Sequence, residues 1–159
     1  MTKQTKATET DLSFQLKNIE LIETCINAPQ NPLAENTVFQ FDINLEHRIR
    51  VEGDIVFVIC TVSVLDEAKD QVFGKLKAGC VFNVTELSRF WDEKTRKHNL
   101  PEPIVLTLNS ISISTIRGIM FSFFRGTYLH NAVLPVIEPK ALSRIKKLIA
   151  DFRSKNVWG

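Results

Sequence analysis

Histidine and cysteine side chains are the first groups to examine for acid–base, nucleophilic or metal chemistry in this chain of 159 residues, which has three of each. His47 lies on the apolar face of a predicted strand, and no second His, Cys or carboxylate is spaced with it as a metal site requires. His130 lies beside Tyr128 and Asn131 in a predicted turn. We therefore expect His47 to be a hydrogen-bonded histidine of the core or of an interface. We expect His130 to pack in its turn or face solvent rather than to catalyse a reaction.

Cys25, Cys60 and Cys80 are odd in number and form no Cys-x-x-Cys pair, so neither a metal knuckle nor a redox pair is expected. If Val64 faces Val72 across a turn, Cys60 and Cys80 are offset by about four positions on adjacent antiparallel strands, or about 13 Å. A disulfide does not span that distance. The sequence therefore predicts buried, reduced thiols, as in a reducing compartment.

The sequence lacks the short motifs that position common catalytic and phosphate-binding groups. It has no Gly-x-Ser-x-Gly, no Gly-x-x-x-x-Gly-Lys-Ser/Thr, no His-Glu-x-x-His and no Gly-x-Gly-x-x-Gly. Its six glycines are scattered singly, so no glycine-rich loop is available to wrap a phosphate. We therefore expect a protein without enzymatic activity, cofactor or metal ion.

The composition, with 44% apolar and 24% charged residues, is that of an ordinary soluble globular domain. The polar residues 1–10 predict a disordered tail, which leaves 11–159 as a single domain. The longest apolar run, Ile55–Cys60, has six residues, far fewer than the roughly 18 of a membrane span. The N-terminal residues also lack the apolar centre of a secretory signal. These features predict a cytoplasmic protein without membrane insertion.

The net charge of +2 is too small to indicate a nucleic-acid partner by itself. Basic residues cluster at Arg89–His98 and at Lys140–Lys155, where we expect solvated helix faces. Binding to RNA or DNA would need a platform of aromatic residues interleaved with basic ones, or a known motif, and we recognise neither. No nucleic-acid partner is therefore expected.

The first predicted strand slips by one residue. Its apolar side chains alternate at Leu12, Phe14 and Leu16 and then continue on the opposite parity at Ile19 and Leu21. Because side chains on a strand alternate between faces, this slip predicts a β-bulge near Lys17-Asn18.

Three further strands are predicted after a long crossing loop over residues 27–36, which contains two prolines. Residues 39–51 carry apolar side chains at odd positions, residues 55–65 are apolar at both parities, and residues 72–82 alternate again. All predicted helices come later in the chain. The order predicts an α+β fold, a four-stranded antiparallel sheet with a long crossing loop after strand one, followed by helices.

A short helix is predicted over 86–98, where it would bury Leu87, Phe90 and Trp91 before Pro101 and Pro103 break it. A second amphipathic helix is predicted at the end of the chain, after Pro139. Its apolar positions are Leu142, Ile145, Ile149 and Phe152.

The predicted central helix is apolar on more than one side. Asn109 or Ser110 is expected to cap its start, and Gly126 to end it in the left-handed conformation. Its main stripe consists of Ile116, Ile119, Met120 and Phe123. Phe121 and Phe124 fall off this stripe, so the helix needs a second surface, in its own domain or in another subunit.

The segment around the end of this helix carries a family pattern. The helix ends in Arg125–Thr127 (Arg-Gly-Thr), the apolar stretch Leu134–Ile137 follows, and Ala141-Leu142 begins the last helix. Asn27–Pro29 (Asn-Ala-Pro) follows strand one. With this order of elements, residues 10–150 resemble the SecB-type protein-export chaperones.

The resemblance implies binding of unfolded or presecretory polypeptides in long apolar grooves, without ATP or catalysis. It also implies homotetramers, dimers of dimers that pair edge strands and pack central helices together. The crossing loop and the loop after the central helix are apolar although they are predicted loops, which favours them as the groove walls. The residues expected to contact a bound peptide are Pro29, Leu33, Phe39, Phe41, Tyr128, Leu129, Leu134 and Val136. The residues expected at the oligomer interface are Phe14, Leu16, Ile116, Met120, Phe121 and Phe124.

Two departures from the family keep alternatives open. Export members are acidic and meet the translocation motor through acidic sheet residues and a C-terminal tail, whereas this chain has a net charge of +2. The segment 89–102 is also larger than the family's corresponding linker. A dedicated chaperone of an antitoxin in a toxin–antitoxin system is therefore an alternative to an export holdase. An unrelated small-ligand or scaffold domain is a third possibility.

Overall fold

The computed structural model describes residues 12–138 and residue 141 of the chain. The predicted tail over 1–10 and the apolar positions of the predicted terminal helix lie outside the described residues. In chain order the elements are β1 (Phe14–Ile26), β2 (Gln40–Arg50), β3 (Ile55–Leu65), β4 (Val72–Val84), a 3₁₀ turn (Leu87–Phe90), β5 (Trp91–Asp92), β6 (Lys97–His98) and α1 (Glu102–Phe123).

The four long strands form one antiparallel sheet in the order β1–β4–β3–β2, which confirms the predicted α+β fold. β3 and β4 lie at the centre, and β1 and β2 are the edges. Leu65 pairs with Val72, so the register differs from the one that would place Val64 opposite Val72. Cys60 consequently pairs with Ala78, two positions from Cys80 rather than the four that we expected.

β1 shifts register against β4 at two places. The first shift lies between Leu16 and Asn18 and confirms the bulge predicted there. The second, between Leu21 and Glu23, was not predicted. The two shifts keep the apolar side chains of β1 on the sheet face that carries α1, because Leu16, Ile19 and Leu21 pair with Phe82, Cys80 and Ala78.

α1 packs across β3 and β4 on the sheet face that carries the even-numbered residues of both strands. The residues of α1 buried by this packing are Val105, Leu108, Asn109, Ser112, Ile113, Ile116 and Met120. The Ser112 hydroxyl donates a hydrogen bond to the Leu108 carbonyl oxygen at 2.8 Å. This bond to the preceding turn lets a serine lie inside an otherwise apolar helix face.

α1 begins at Glu102, about two turns before the predicted cap at 109–110, so that prediction is wrong. Pro101 is the residue before the first helical position, and Pro103 lies in the first turn. A proline is tolerated there because its missing N–H would have no partner within the helix. The two prolines therefore begin this helix and do not end a preceding one.

Residues 86–98 form the 3₁₀ turn and the two-stranded ribbon β5–β6, so the predicted helix is wrong. Asp92 Oδ1 accepts a hydrogen bond from the Lys94 N–H at 2.9 Å. The Thr95 side chain and then the Lys94 amide stabilise this carboxylate and lower its pKa. An aspartate that bonds nearby backbone N–H groups favours a turn over a helix.

The ribbon also exposes Trp91, one of the three side chains that we expected to be buried in this segment. Leu87 is buried, but Trp91 is 46% exposed. Trp91 pairs with His98 across the ribbon, with ring centroids 4.9 Å apart. The basic residues of 89–98 therefore surround an exposed turn and not the face of a helix.

Candidate functional site: an apolar groove beside an edge strand

An open apolar trough lies between the start of β2 and the loop that follows α1. Its volume is about 580 Å³. It is lined by Phe39, Gln40, Phe41, Ile43, Val133, Leu134, Pro135 and Ile137. We call it the β2 groove, and none of the described side chains that line it is charged.

The strand side of the β2 groove follows from alternation along β2. Phe39, Phe41 and Ile43 are two residues apart and therefore point to the same side of the sheet. Phe39 also packs edge-on against Phe73 of β4, with ring centroids 6.0 Å apart. Among the described residues β2 pairs with β3 alone, so within that part of the chain the backbone on its other side is open to a further strand.

The loop that forms the other side of the β2 groove contains both buried and exposed apolar side chains. Ala132 and Leu134 are each only 2% exposed and belong to the core cluster. Val133 and Val136 are 49% and 87% exposed. The buried side chains hold the loop against the domain, and the exposed ones give it an apolar outer surface.

The turn between α1 and this loop is stabilised by its own side chains. Gly126 has a φ of +79°, the left-handed conformation expected from the sequence, although it comes two residues after the C-cap residue Phe124. Thr127 Oγ1 donates a hydrogen bond to the Phe124 carbonyl oxygen at 2.7 Å. His130 is exposed, and its Nδ1 bonds the Thr127 carbonyl oxygen at 2.9 Å, which confirms that this histidine packs in its turn.

Tyr128 joins this turn to the crossing loop and to β4. Its hydroxyl oxygen contacts the carbonyl oxygen of Asn27 and lies 3.1 Å from that of Phe73. Its ring packs edge-on against Phe73, with centroids 6.0 Å apart. Burial, and then the neighbouring Cys25, raises the pKa of Tyr128, so the hydroxyl stays protonated and able to donate a hydrogen bond.

Three of the eight expected peptide contacts, Phe39, Phe41 and Leu134, line the β2 groove. Val136 lies in the same loop and is 87% exposed, whereas Leu129 is fully buried under the loop. The remaining three, Pro29, Leu33 and Tyr128, are partly buried along the crossing loop and the post-helix turn. The structure therefore brings the β2 positions and the loop after α1 together, and it places Leu129 in the core.

Five lining residues were not among those expected from the sequence: Gln40, Ile43, Val133, Pro135 and Ile137. Ile43 continues the alternation of Phe39 and Phe41, so the sequence pattern could have identified it. Gln40 has the opposite parity and lines the trough only because the loop passes close to the end of the strand. That proximity joins residues about 90 positions apart, and no local pattern predicts it.

The residues expected at an oligomer interface have different environments. The structure buries three of them within the single chain: Ile116, Met120 and Phe124. In this conformation those three contact the sheet and are not available to a second copy. Phe121 and Leu16 are 56% and 37% exposed, and Phe14 packs edge-on against Phe82 at 6.3 Å.

Two apolar surfaces have no partner within residues 12–138. The first is the edge strand β1, whose exposed apolar side chains are Leu16, Ile19, Leu21 and Ile22. The second is the outer face of α1, where Phe121 is 56% exposed and a shallow pocket is formed by Ser110, Ile111, Ser114 and Thr115. Exposed apolar surfaces on a sheet edge and on a helix are typical of contact sites for another chain.

His47 connects β2 to α1. Its Nε2 lies within hydrogen-bond distance of Asn109 Oδ1, at 2.6 Å. Asn109 is fully buried, and its amide nitrogen has no hydrogen-bond partner among the residues that the structure describes. The bond confirms that His47 is a hydrogen-bonded histidine of the core, and it explains why a polar residue lies on the buried face of the helix.

The cysteines have the chemistry of structural thiols. All three are free, and Cys60 and Cys80 are buried while Cys25 is half-buried. Burial, followed by the neighbouring Cys80, raises the pKa of Cys60 to about 12, so its thiol is protonated at neutral pH. Among residues 12–138, no group of three or more His, Cys, Asp or Glu residues is placed to hold a metal ion.

α1 has the length and apolarity of a membrane-spanning helix, with a mean hydropathy of 1.5. The core helix of a soluble protein has the same properties, so this similarity is weak evidence for a membrane. In this structure α1 lies across β3 and β4 and buries one face in the core. We therefore interpret α1 as the core helix of the domain.

No protein-family model matches the sequence, and no curated protein matches it. The fold is similar to that of the Mycobacterium tuberculosis SecB-like chaperone Rv1957, solved in complex with a ChAD peptide from the HigA1 antitoxin Rv1956. The similarity covers 78% of this chain and 90% of that one, with a TM-score of 0.52 and 12% sequence identity. This chain therefore has the α+β fold of SecB-like chaperones, which confirms the fold implied by the Arg-Gly-Thr pattern.

Proposed function

We propose that this protein is an ATP-independent, non-enzymatic chaperone that holds an extended apolar segment of an unfolded polypeptide in the β2 groove. The observation that carries the proposal is the groove itself, whose described lining residues are all uncharged and which lies beside an edge of β2 that no other described strand pairs with. Burying apolar side chains there is worth about 0.8 kcal/mol for each methylene. Binding by apolar area needs no particular sequence, which is what a chaperone of unfolded chains requires.

The shape of the groove favours a polypeptide over a small ligand. Its volume of about 580 Å³ falls within the range of about 300–1,000 Å³ found for ligand pockets. A small molecule is held by enclosing most of its surface, however, and this trough is open to solvent. An extended chain can lie along such a trough and continue past both ends.

The proposed assembly is a cytoplasmic homotetramer. The exposed apolar edge of β1 and the outer face of α1 are the surfaces through which copies would associate, as the SecB-type resemblance implies. Leu16 and Phe121 are the members of the expected interface that are exposed on these two surfaces.

Two kinds of client remain to be distinguished. A general holdase would bind many unfolded or presecretory polypeptides, whereas a dedicated chaperone would bind one antitoxin. The complex of Rv1957 with an antitoxin peptide favours the second kind for a protein of this fold. A toxin–antitoxin pair encoded beside this protein would strengthen that proposal.

The charges on the outer face of the sheet do not favour delivery to an export motor. The register places four acidic residues on this face: Glu20, Glu23, Asp42 and Glu46. Glu23 pairs with Lys75 at 3.0 Å, and Glu46 pairs with Arg48 at 2.6 Å. Lys77 lies on the same face, opposite Glu23. Because basic residues are interspersed, we expect weak binding of the motor's C-terminal segment in titrations at low and moderate salt.

The first experiment is suppression of the aggregation of an unrelated unfolded protein, with and without ATP. We expect suppression at a stoichiometric amount of this protein, equal in both conditions. No suppression of several unfolded proteins, together with no binding of an antitoxin segment, would refute the chaperone proposal.

The second experiment separates the two kinds of client by fluorescence anisotropy. An antitoxin segment and unrelated apolar peptides of equal length are titrated with the protein. Similar dissociation constants indicate a general holdase. A preference of 100-fold or more for the antitoxin segment indicates a dedicated chaperone.

A further inference from the structure

Arg117 is the only charged residue of α1 apart from Glu102 at its first position. The salt bridges within residues 12–138 do not include Arg117. Its side chain is half-buried and turns toward the loop after the helix. A charge in this apolar helix, without a carboxylate partner among the described residues, calls for another explanation.

The guanidinium of Arg117 binds backbone carbonyl groups of the groove wall. Nε donates to the Leu134 carbonyl oxygen at 2.8 Å, and Nη2 donates to the Pro135 carbonyl oxygen at 2.9 Å. A weaker contact of 3.4 Å joins Nη1 to Ser114 Oγ on the same helix. Leu134 and Pro135 both line the β2 groove.

The wall has little else to hold its backbone. Within the described residues, no backbone–backbone hydrogen bond involves 134–137. Pro135 has no N–H to donate. The bonds from Arg117 are therefore the hydrogen bonds that hold this stretch, together with the buried side chain of Leu134.

We propose that Arg117 is a positioning residue of the β2 groove, which sets the distance between the loop wall and β2. The proposal rests on the proposed function, because the positioned wall is the one that would contact the client. A guanidinium presents several donors in a fixed plane and holds two carbonyl oxygens at once. A lysine in its place has a single ammonium group and no such rigid fork.

Positioning of this kind affects affinity through preorganisation. A wall that is already ordered loses less conformational freedom when a client binds. If the bonds from Arg117 are removed, the wall has to be ordered by the client itself. We therefore expect weaker binding without a change in the residues that contact the client.

The first test measures the width of the groove without any client. Nitroxide labels are placed at Val136→Cys and Asn44→Cys in a Cys25→Ser background, where the remaining cysteines are buried. The labelled protein is mixed with excess unlabelled protein, and the spin–spin distance distribution is recorded. We expect the distribution to become at least twice as broad in Arg117→Met, and to broaden less in Arg117→Lys.

The second test measures the dissociation constant of an apolar, extended peptide by fluorescence anisotropy. We expect it to rise about tenfold in Arg117→Met and about threefold in Arg117→Lys. Arg125→Met is the matched control, since Arg125 is an exposed arginine just after the same helix. We expect this control to change neither the distance distribution nor the affinity.

Unchanged distance distributions and affinities in Arg117→Met would overturn the positioning role. A wild-type protein that binds no peptide would refute the proposed function, and the distance measurement alone would then decide whether Arg117 holds the wall. If Arg117→Met does not fold, the test is made with Arg117→Lys. If Arg117 only stabilises the fold, this variant should lose stability, but the spin–spin distance distribution of its folded form should not become broader. A broader distribution in the folded protein supports the positioning role.

Discussion

The two edge strands of the sheet, β2 and β1, differ in what covers them. Beside β2, the loop after α1 runs close enough to form a trough with Phe39, Phe41 and Ile43. Beside β1, Ile19 and Leu21 are 44% and 55% exposed. Within the described part of the chain, both strands have one side of their backbone free of a neighbouring strand. The loop after α1 thus forms a partly enclosed groove with the β2 edge, whereas it does not cover the β1 edge.

The difference follows from where α1 lies and how its loop is held. α1 packs over β3 and β4, and the loop that leaves it is bonded by Arg117 on the β2 side. The register shifts of β1 keep Leu16, Ile19 and Leu21 on the helix side of the sheet, but these side chains stay exposed because α1 packs over β3 and β4. We therefore propose that the β2 edge binds the client and that copies associate through the β1 edge.

The largest expected effect is on client binding, when an aromatic side chain that lines the β2 groove is removed. Phe41→Ser should raise the dissociation constant of an apolar peptide by roughly thirtyfold, because central aromatic contacts are worth about 2 kcal/mol or more. Leu21→Ser removes an exposed apolar side chain of the other edge and should leave this constant unchanged. Equal losses in both variants, with intact circular dichroism spectra, would contradict the different roles of the two edges.

The next effect concerns the β1 edge and is measured by light scattering. The double variant Ile19→Lys and Leu21→Lys places two charges on this surface, and charged side chains on an edge strand oppose pairing with another chain. The mass should fall from that of the proposed tetramer, which the unsubstituted protein should show, to that of a smaller species. Persistence of the tetramer at micromolar concentration would exclude β1 from the interface.

A smaller effect is expected on stability where the post-helix turn docks on β4. A Cβ atom at Gly74 would lie 2.8 Å from Leu129 Cδ1 and 3.1 Å from Phe124 Cζ. Gly74→Ala should lower the free energy of unfolding in urea by about 1–3 kcal/mol through this overpacking. Gly118→Ala is the matched control, because apart from its chain neighbours and the adjacent backbone of α1 no described atom lies within 4 Å of its Cβ position. That change should raise stability by about 0.5–1 kcal/mol, and a loss there equal to that of Gly74→Ala would show that overpacking is not the cause.

The smallest effect is expected at the ribbon, which lies outside both edges. Hydrogen bonds from Thr95 and Lys94 lower the pKa of Asp92, so its carboxylate stabilises the ribbon above the ordinary aspartate pKa. This contribution should be lost as the pH falls through the lowered pKa. In a Trp158→Phe background, the emission of Trp91 should report a transition below about pH 4.

The same titration has an internal control. Asp92→Asn keeps an oxygen acceptor for the Lys94 N–H but cannot titrate, so its emission should not change in that range. A transition of the same size in Asp92→Asn would assign the signal to another group.

The strands were predictable because alternation along a strand is a local property. The odd-numbered apolar residues of β2 and the bulge in β1 were identified from neighbouring residues alone. The predicted start of α1 at 109–110 and the predicted helix over 86–98 were wrong, because the residues that decide these boundaries do not have a single local meaning. Prolines and an aspartate act through backbone bonds, and the same residues can end one helix, begin another or close a turn.

Part of the groove was predictable and part was not. Phe39, Phe41 and Leu134 were expected as peptide contacts and they line the trough. Leu129 belongs to the same apolar loop, but the structure buries it against Gly74. An apolar residue in a loop can cover the core or face a client, and its own sequence neighbours do not distinguish the two.

The sequence by itself determined the order of the four long strands and the central helix, the apolar faces of the strands and the Arg-Gly-Thr pattern that led to the SecB-like fold. These depend on spacing between neighbouring residues, which the chain carries whether or not it is folded. Only the tertiary structure decided that Arg117 holds the loop wall and that His47 bonds Asn109. Contacts between residues 17 to 62 positions apart are set by how α1 lies on the sheet, and that depends on the packing of the whole core.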